Sequence, residues 1–397
     1  MTIPTPEAEE SAREITPEAE ESQRHIAVFI FGLSGGGAQR RTVTLANAFA
    51  ARGHRVDLVL VNPEGPLAPE VSEAVGIVPL TEWGAPSLSA HLPRRVGLVL
   101  AARALARYLE DARPDVLLSA ASHVHLPAMH AHRRAGAPCR IVLRVSNHLS
   151  REGTRTITPT LARRFYPRAD AFIAVSQSVA DDLVDAIGLP GQQVTAIYNP
   201  VVTRELLARA EEPLDHPWFA AGEPPVVLGV GRLVKQKDFP TLVRAFARVR
   251  ERRPARLLLL GETKKPRRRR RLKELTRELG VEKDVAIEGF VDNPLPYMKR
   301  AAVFALSSAW EGLPGALIEA MACGCPPVST DCPGGSAEIL DQGRFGPLVP
   351  VGDDAALAEA IVQQLERPTA PELLEARARE FAVDVAVDHY LEVLLRR

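Results

Sequence analysis

Two glutamates, Glu311 and Glu319, bracket the run E-G-L-P-G-A-L-I-E, which continues as A-M-A-C-G-C-P-P-V-S-T. The first falls in a Gly/Pro loop. The second falls about a turn into a helix that Pro314 or Gly315 would open, and that Gly324, Pro326 and Pro327 would end. A carboxylate can accept two hydroxyl hydrogen bonds at once, so a vicinal diol of ribose or hexose is a natural partner. Free backbone N–H groups at the helix mouth attract anions. The arrangement therefore suits a polyhydroxylated ligand that carries phosphate, although two acids so placed could also form an acid/base pair.

Three further loops carry residues of this kind. G-R-L-V-K-Q-K-D, Gly231–Asp238, places Arg232 and Lys237 beyond an apolar run, with Asp238 as the expected helix N-cap. A planar fork and a point charge together would compensate a diphosphate, and could stand in for a divalent metal. G-L-S-G-G-G-A-Q-R, Gly32–Arg40, lets the backbone of Gly35, Gly36 and Gly37 come close to a ligand. It is neither the G-x-G-x-x-G dinucleotide fingerprint nor a P-loop. C-P-G-G-S-A-E, Cys332–Glu338, is a Gly-rich turn that could offer N–H groups to a phosphate or frame a cleft. Taken singly, each has a plainer reading: a basic surface loop, a tight strand-to-helix turn and an ordinary turn.

The elements that must position them alternate. Strands are expected at 26–31, 56–61, 116–119, 140–144 and 171–175, with a helix over 38–52. After an irregular, Pro-containing stretch the pattern resumes, with strands at 226–230, 256–260, 285–288, 303–305 and 327–330 and helices over 239–252 and 270–279. Such alternation implies parallel sheets covered on both faces, in two α/β domains with a cleft between them. The boundaries read as an acidic tail over 1–24, domains over 25–200 and 225–372, a linker over 201–224, and a returning segment over 373–397. The tail repeats T-P-E-A-E-E-S at Thr5–Ser11 and Thr16–Ser22, and its composition predicts disorder. In sheets of this type ligands sit beyond the carboxyl ends of strands, where the four loops fall.

Composition narrows the class. The 397 residues hold 49 Lys plus Arg against 49 Asp plus Glu, so no global charge points to nucleic acid. Four cysteines in this length do not make a disulfide framework and fit a reducing cytosol. The acidic N-terminus is expected not to be a signal peptide, and the apolar runs fall short of the roughly 18–20 residues that span a bilayer. His123, His125, His130 and His132 are poorly spaced for one small ion, although His123 could line a cleft, and Cys323, Cys325 and Cys332 read as packing residues. No metal site is expected.

In order and spacing, G-R-L-x-x-x-K, E-G-F at Glu288–Phe290, E-G-L-P-x-x-L-I-E-A-M-A-C-G-C-P and G-G-S-A-E-I resemble the retaining nucleotide-sugar glycosyltransferases of family 4, which have the two-Rossmann-domain fold called GT-B. G-G-G-A-Q-R-R, L-A-N-A-F-A-A-R-G-H-R-V and I-Y-N-P-V extend the likeness through nearly everything after residue 25. The resemblance implies a nucleoside diphosphate sugar as co-substrate, a hydroxyl acceptor and no required cofactor. It implies that Arg232 and Lys237 bind the donor diphosphate and that Glu319 holds the ribose. Glu311 and the stretch Gly312, Leu313, Pro314 and Gly315, through the N–H groups of its non-proline residues, would meet the transferred sugar, with Gly231 and Asn293 counted in the donor set. Gly35–Gly37 would face the phosphates or acceptor, His148 of R-V-S-N-H would lie near the sugar, and the last helix would cross back to the first domain. Attack on the face that phosphate leaves, with that phosphate as base, is the family mechanism.

One departure falls at G-E-T-K-K-P-R-R-R-R-R-L-K after Leu260, where the family commonly has G-x-G. The basic run 264–273 reads first as the start of a solvated helix and second as a contact for an anionic membrane face, ahead of nucleic acid. The C-P-G-G-S-A-E-I-L form resembles transferases that build lipid-linked or cell-surface glycans, which hints at UDP-hexose or UDP-N-acetylhexosamine. A phosphorylase or epimerase relative and a non-catalytic sugar-nucleotide binder remain the alternatives.

Overall fold

The computed structural model describes residues 23–85, 94–150, 158–263 and 265–396. The acidic repeat and Lys264 therefore lie outside the described residues. The chain builds two parallel sheets. The first has seven strands in the order β3-β2-β1-β4-β5-β6-β7: β1 (His25–Gly32), β2 (Arg55–Asn62), β3 (Val75–Pro79), β4 (Val116–Ser119), β5 (Arg140–Val145), β6 (Ala171–Ala174) and β7 (Val194–Ala196). Helices α1 (Gly37–Ala51), α2 (Arg94–Ala112), α3 (Ser122–Ala135), α4 (Pro159–Phe165) and α5 (Gln177–Asp181) run between them. Helix α6 (Arg204–Ala210) lies between the sheets. The second sheet has six strands in the order β10-β9-β8-β11-β12-β13: β8 (Val226–Val230), β9 (Arg256–Leu260), β10 (Val285–Glu288), β11 (Val303–Leu306), β12 (Pro327–Thr330) and β13 (Leu348–Val349). Its helices are α7 (Phe239–Arg252), α8 (Pro266–Glu278), α9 (Leu295–Arg300), α10 (Gly315–Ala322), α11 (Ser336–Ile339), α12 (Asp354–Glu366) and α13 (Pro371–Ala378), and α14 (Val383–Leu395) closes the chain.

Strands β4, β6, β11 and β12 are buried at every residue, as expected for parallel strands covered on both faces. In both sheets the strand order reverses beside the first strand, between β1 and β4 and between β8 and β11. The carboxyl ends at those two points form crevices, and the four unusual loops follow β1, β8, β11 and β12.

The structure departs from the sequence reading in several places. The stretch 201–224 is not wholly irregular, because Thr203 Oγ1 accepts from the Leu206 amide and opens α6. Helix α8 begins at Pro266, ahead of the expected Arg270, since proline suits the first helical position. The last segment is not one helix. It breaks at the 3₁₀ turn Arg379–Phe381, where the Phe381 carbonyl accepts from the Val201 and Val202 amides and zips the two chain crossings together. Beyond that turn α14 lies on the first domain, where Val387, Tyr390, Leu391 and Leu394 join the core that holds Ile26, Val28 and Phe49. No helix among the described residues is long and apolar enough to cross a membrane.

Candidate active site

The crevice between β8 and β11 is stitched by its own loops. The Ala309 amide donates to the Gln236 carbonyl at 2.7 Å, and Ser307 Oγ donates to the Lys237 carbonyl at 2.8 Å. Lys237 then turns inward over Gly231, where a β-carbon would stand 2.9 Å from its Cε. Gly231 in turn lies against Gly261, whose added β-carbon would fall 1.8 Å from the Gly231 carbonyl oxygen. So the first glycine of G-E-T keeps its backbone role. Lys237 Nζ donates to Glu311 Oε1 at 2.6 Å, and the same oxygen accepts from Ser308 Oγ at 2.6 Å. Glu311 is 7% exposed, so this pairing supplies the counter-charge that a buried carboxylate needs. Glu311 thus holds Lys237 in place, a different use from the hydroxyl contact expected of it.

Arg232 stands differently. Its side chain is exposed and makes no hydrogen bond or ion pair among the described residues. Asp238 is the N-cap residue of α7, as expected, but its side chain accepts no backbone amide of the first turn. Its backbone is left-handed, with φ 41°, and its carboxylate accepts from Thr241 Oγ1 at 2.7 Å.

Pro314 is the N-cap of α10 and Gly315 its first residue, and no side chain caps that first turn. The mouth abuts the first domain so closely that a β-carbon on Gly312 would stand 1.8 Å from the Ser146 carbonyl oxygen. Leu313 and Pro314 are buried beside it. Glu319, inside the helix, pairs with Arg41 Nη2 from α1. Arg41 is 8% exposed and lies over Gly315, so the first domain supplies a cation at the helix mouth. Arg41 is the last residue of G-G-G-A-Q-R-R, where nothing in its spacing points to Glu319.

From the first domain come Gly35–Gly37 and His148. The glycines are exposed, with Gly35 at φ +87° and Gly36 as the N-cap of α1. His148 is 7% exposed, and its Nε2 lies 2.9 Å from Ser178 Oγ at the start of α5. His123 is half-buried, its ring edge-on to Phe31 at 5.9 Å. Asn293 is committed to the fold: its amide donates to the Arg209 carbonyl at 2.9 Å and to Glu212 at 2.7 Å, seating α9 on α6.

The clusters set aside in the sequence stay apart here. His125 is wholly buried against Ser119, and desolvation pushes its pKa down to about 3. The four cysteines are buried and free, and no three His, Cys, Asp or Glu of the described residues could hold a metal ion. On α8, Arg267, Arg270, Arg271, Lys273 and Arg277 are exposed and form no ion pair among the described residues. A cavity of about 400 Å³ opens between this helix and the Glu262–Thr263 loop.

Two facing domains with parallel sheets, whose strand-end loops meet across a crevice, define the GT-B class. The solved structure of Anabaena Alr3699/HepE in complex with UDP-glucose superposes with a TM-score of 0.77 at 19% identity, over 94% of this chain and 100% of that one. WaaG, a glycosyltransferase involved in lipopolysaccharide biosynthesis, superposes with a TM-score of 0.68 at 17% identity, over 94% of this chain and 100% of that one.

The family model described as Glycosyltransferase Family 4 matches residues 35–205, and the one described as Glycosyl transferases group 1 matches 224–367. Among curated relatives, the N-acetylgalactosamine-N,N'-diacetylbacillosaminyl-diphospho-undecaprenol 4-alpha-N-acetylgalactosaminyltransferase of Campylobacter jejuni is 28% identical over 86% of this chain and 90% of its own length. The amylovoran biosynthesis glycosyltransferase AmsD of Erwinia amylovora is 25% identical over 94% of this chain and 97% of its own. The chain belongs to the family 4 glycosyltransferases, and it is an enzyme of the glycosyl-transfer class.

Proposed function

We propose that this enzyme moves a sugar, with retention, from a nucleoside diphosphate donor to a hydroxyl of a lipid-linked or cell-surface glycan precursor. The observation that carries the reading is the pairing of Lys237 with Glu311 at the β8/β11 crevice, beside unpaired Arg232 and the uncapped mouth of α10. Arg232 and Lys237 take the diphosphate, Glu319 takes ribose hydroxyls, and the amides of Gly312–Gly315 take the sugar. The C1–O bond to phosphate breaks with its electron pair going to the phosphate oxygen. The acceptor oxygen bonds C1 on the same face and gives its proton to that phosphate. Stabilisation of the leaving group by fixed cations and helix amides is the main catalytic term, and no step is assigned to a metal.

UDP-hexose or UDP-N-acetylhexosamine is the proposed donor. Solved neighbours hold UDP or UDP-glucose, and the Campylobacter relative's name specifies a diphospho-undecaprenol acceptor. The enzyme is proposed to be cytoplasmic and to touch the inner membrane face through the cations of α8. A thermal-shift panel of UDP, GDP and ADP with their sugars tests the donor, followed by transfer assays with the stabilising sugar nucleotide. Stabilisation by a donor that is neither transferred nor hydrolysed would favour a binding protein. Release of sugar phosphate from a glycoside when free phosphate is supplied would favour a phosphorylase. Co-sedimentation with vesicles that ignored anionic lipid and salt would remove the membrane contact.

A further inference from the structure

Glu338 belongs to α11 in the second domain, yet its carboxylate is spent on the first. Its two oxygens accept from the backbone amides of Gln177 at 2.8 Å and Ser178 at 2.9 Å, the first two residues of α5. The third amide of that turn, at Val179, is met by Ser176 Oγ at 3.3 Å. One domain therefore completes the cap of a helix in the other, with a negative charge where the helix start favours one. The approach is close because Gly335 lacks a β-carbon, which would stand 3.3 Å from that of Ser176.

The contact does not stop at the helix. Ser178 gives its amide to Glu338 and has its hydroxyl 2.9 Å from His148 Nε2. The other ring nitrogen of His148 is buried and makes no hydrogen bond among the described residues, so Ser178 is the group that orients the ring. Glu338 is itself anchored: Arg377 from α13 donates to its carbonyl at 2.6 Å, and Arg377 lies 5.3 Å over Phe381 at the crossing of the two chain segments. Burial and the neighbouring Glu338 carboxylate push the phenol of Tyr198, just before the linker, up to about 12. The last acid of C-P-G-G-S-A-E thus stands where both crossings meet the first domain.

We propose that Glu338 is a positioning residue: it sets the angle between the two domains and, through Ser178, the place of His148 over the donor crevice. Charge-assisted bonds to two backbone amides give this contact direction as well as strength. An error of about 1 Å in such placement can cost roughly a hundredfold in rate. The inference rests on the reading of the crevice as the donor site.

The test compares wild type with Glu338→Gln and Ser178→Ala. The amide of the Gln variant cannot accept at both oxygens, yet it preserves size. Expected for Glu338→Gln is a fall in kcat of roughly tenfold to a hundredfold with the Kd for UDP within about twofold. X-ray scattering should show a wider distribution of domain separations. Ser178→Ala should lower kcat and leave the scattering as in wild type. Wild-type kcat and scattering in Glu338→Gln would overturn the inference, as would equal losses of kcat, UDP affinity and melting temperature, which mark a purely structural residue. If wild type itself neither binds UDP nor transfers from a UDP-sugar, the donor reading fails instead, and the scattering arm still reports on the domain angle.

Discussion

Arg232 and Lys237 share a loop and a charge, but the structure gives them different surroundings, and so different mutants. Arg232 is exposed and unpaired among the described residues, so Arg232→Ala should reduce transfer and leave the melting temperature nearly unchanged. Lys237 is the counter-ion of Glu311, and their side chains are 16% and 8% exposed. Lys237→Ala leaves a buried carboxylate uncompensated, at a cost of about 3 kcal/mol. It should therefore lose transfer and stability together, contrary to what its open-loop position in the sequence implies. Lys237→Ala with Glu311→Ala should recover much of the stability and none of the transfer. Chemical denaturation beside an activity assay measures both, and an unaltered denaturation midpoint in the single Lys237 variant would refute the pairing. The residue types were legible because a strand-end loop with two cations has few uses. Their partners were not. Arg41 meets Glu319 across 278 residues of sequence, and Gln177 meets Glu338 across 161, so both contacts exist only once the domains dock.

At the scale of elements, buried parallel strands announce themselves as apolar runs, which is why β4, β8, β9, β10 and β12 match their sequence expectation to the residue. The strands that escaped, β3, β7 and β13, are all at sheet edges. They are short or carry Gly and Pro, and each lacks a neighbour on one side to demand a continuous apolar face. The loop between β11 and α10 shows what spacing cannot show: its glycine serves an approach between domains. Gly312 has no room for a β-carbon against the Ser146 carbonyl, so Gly312→Ala must push the helix mouth away from the first domain. The expected variant folds with a melting temperature near wild type, since each sheet keeps its own core. It should bind UDP through the second domain and transfer at least tenfold more slowly, because the reacting groups stay apart. Wild-type turnover by Gly312→Ala would mean that the observed approach is not the one in which transfer occurs.

At the scale of the whole molecule, the end of the chain belongs structurally to its beginning. Helix α14 buries Val387, Tyr390, Leu391 and Leu394 in the first domain's core, each worth about 1.5–3 kcal/mol of apolar burial. It also completes a polar site. Arg144 is wholly buried, and its guanidinium donates to Tyr390 Oη at 3.0 Å, to the Ala120 carbonyl at 3.2 Å and to Asn199. One cation near the end of β5 thus ties together the first sheet, the Asn199 stretch that leads into the linker, and the last helix. Its position two residues before Ser146, and four before His148, connects that knot to the candidate site. Tyr390→Phe keeps the ring and removes the acceptor, leaving one guanidinium N–H of a buried charge unmet at a cost of about 1–3 kcal/mol. The loss should appear in the unfolding of the first domain, while affinity for UDP, proposed to bind the second domain, is expected to stay unchanged. Hydrogen exchange read separately on the strands of each sheet decides the matter: faster exchange confined to β1, β4 and β5 is expected, and equal loosening of β8 and β11 would mean that α14 stabilises the pair of domains as one unit.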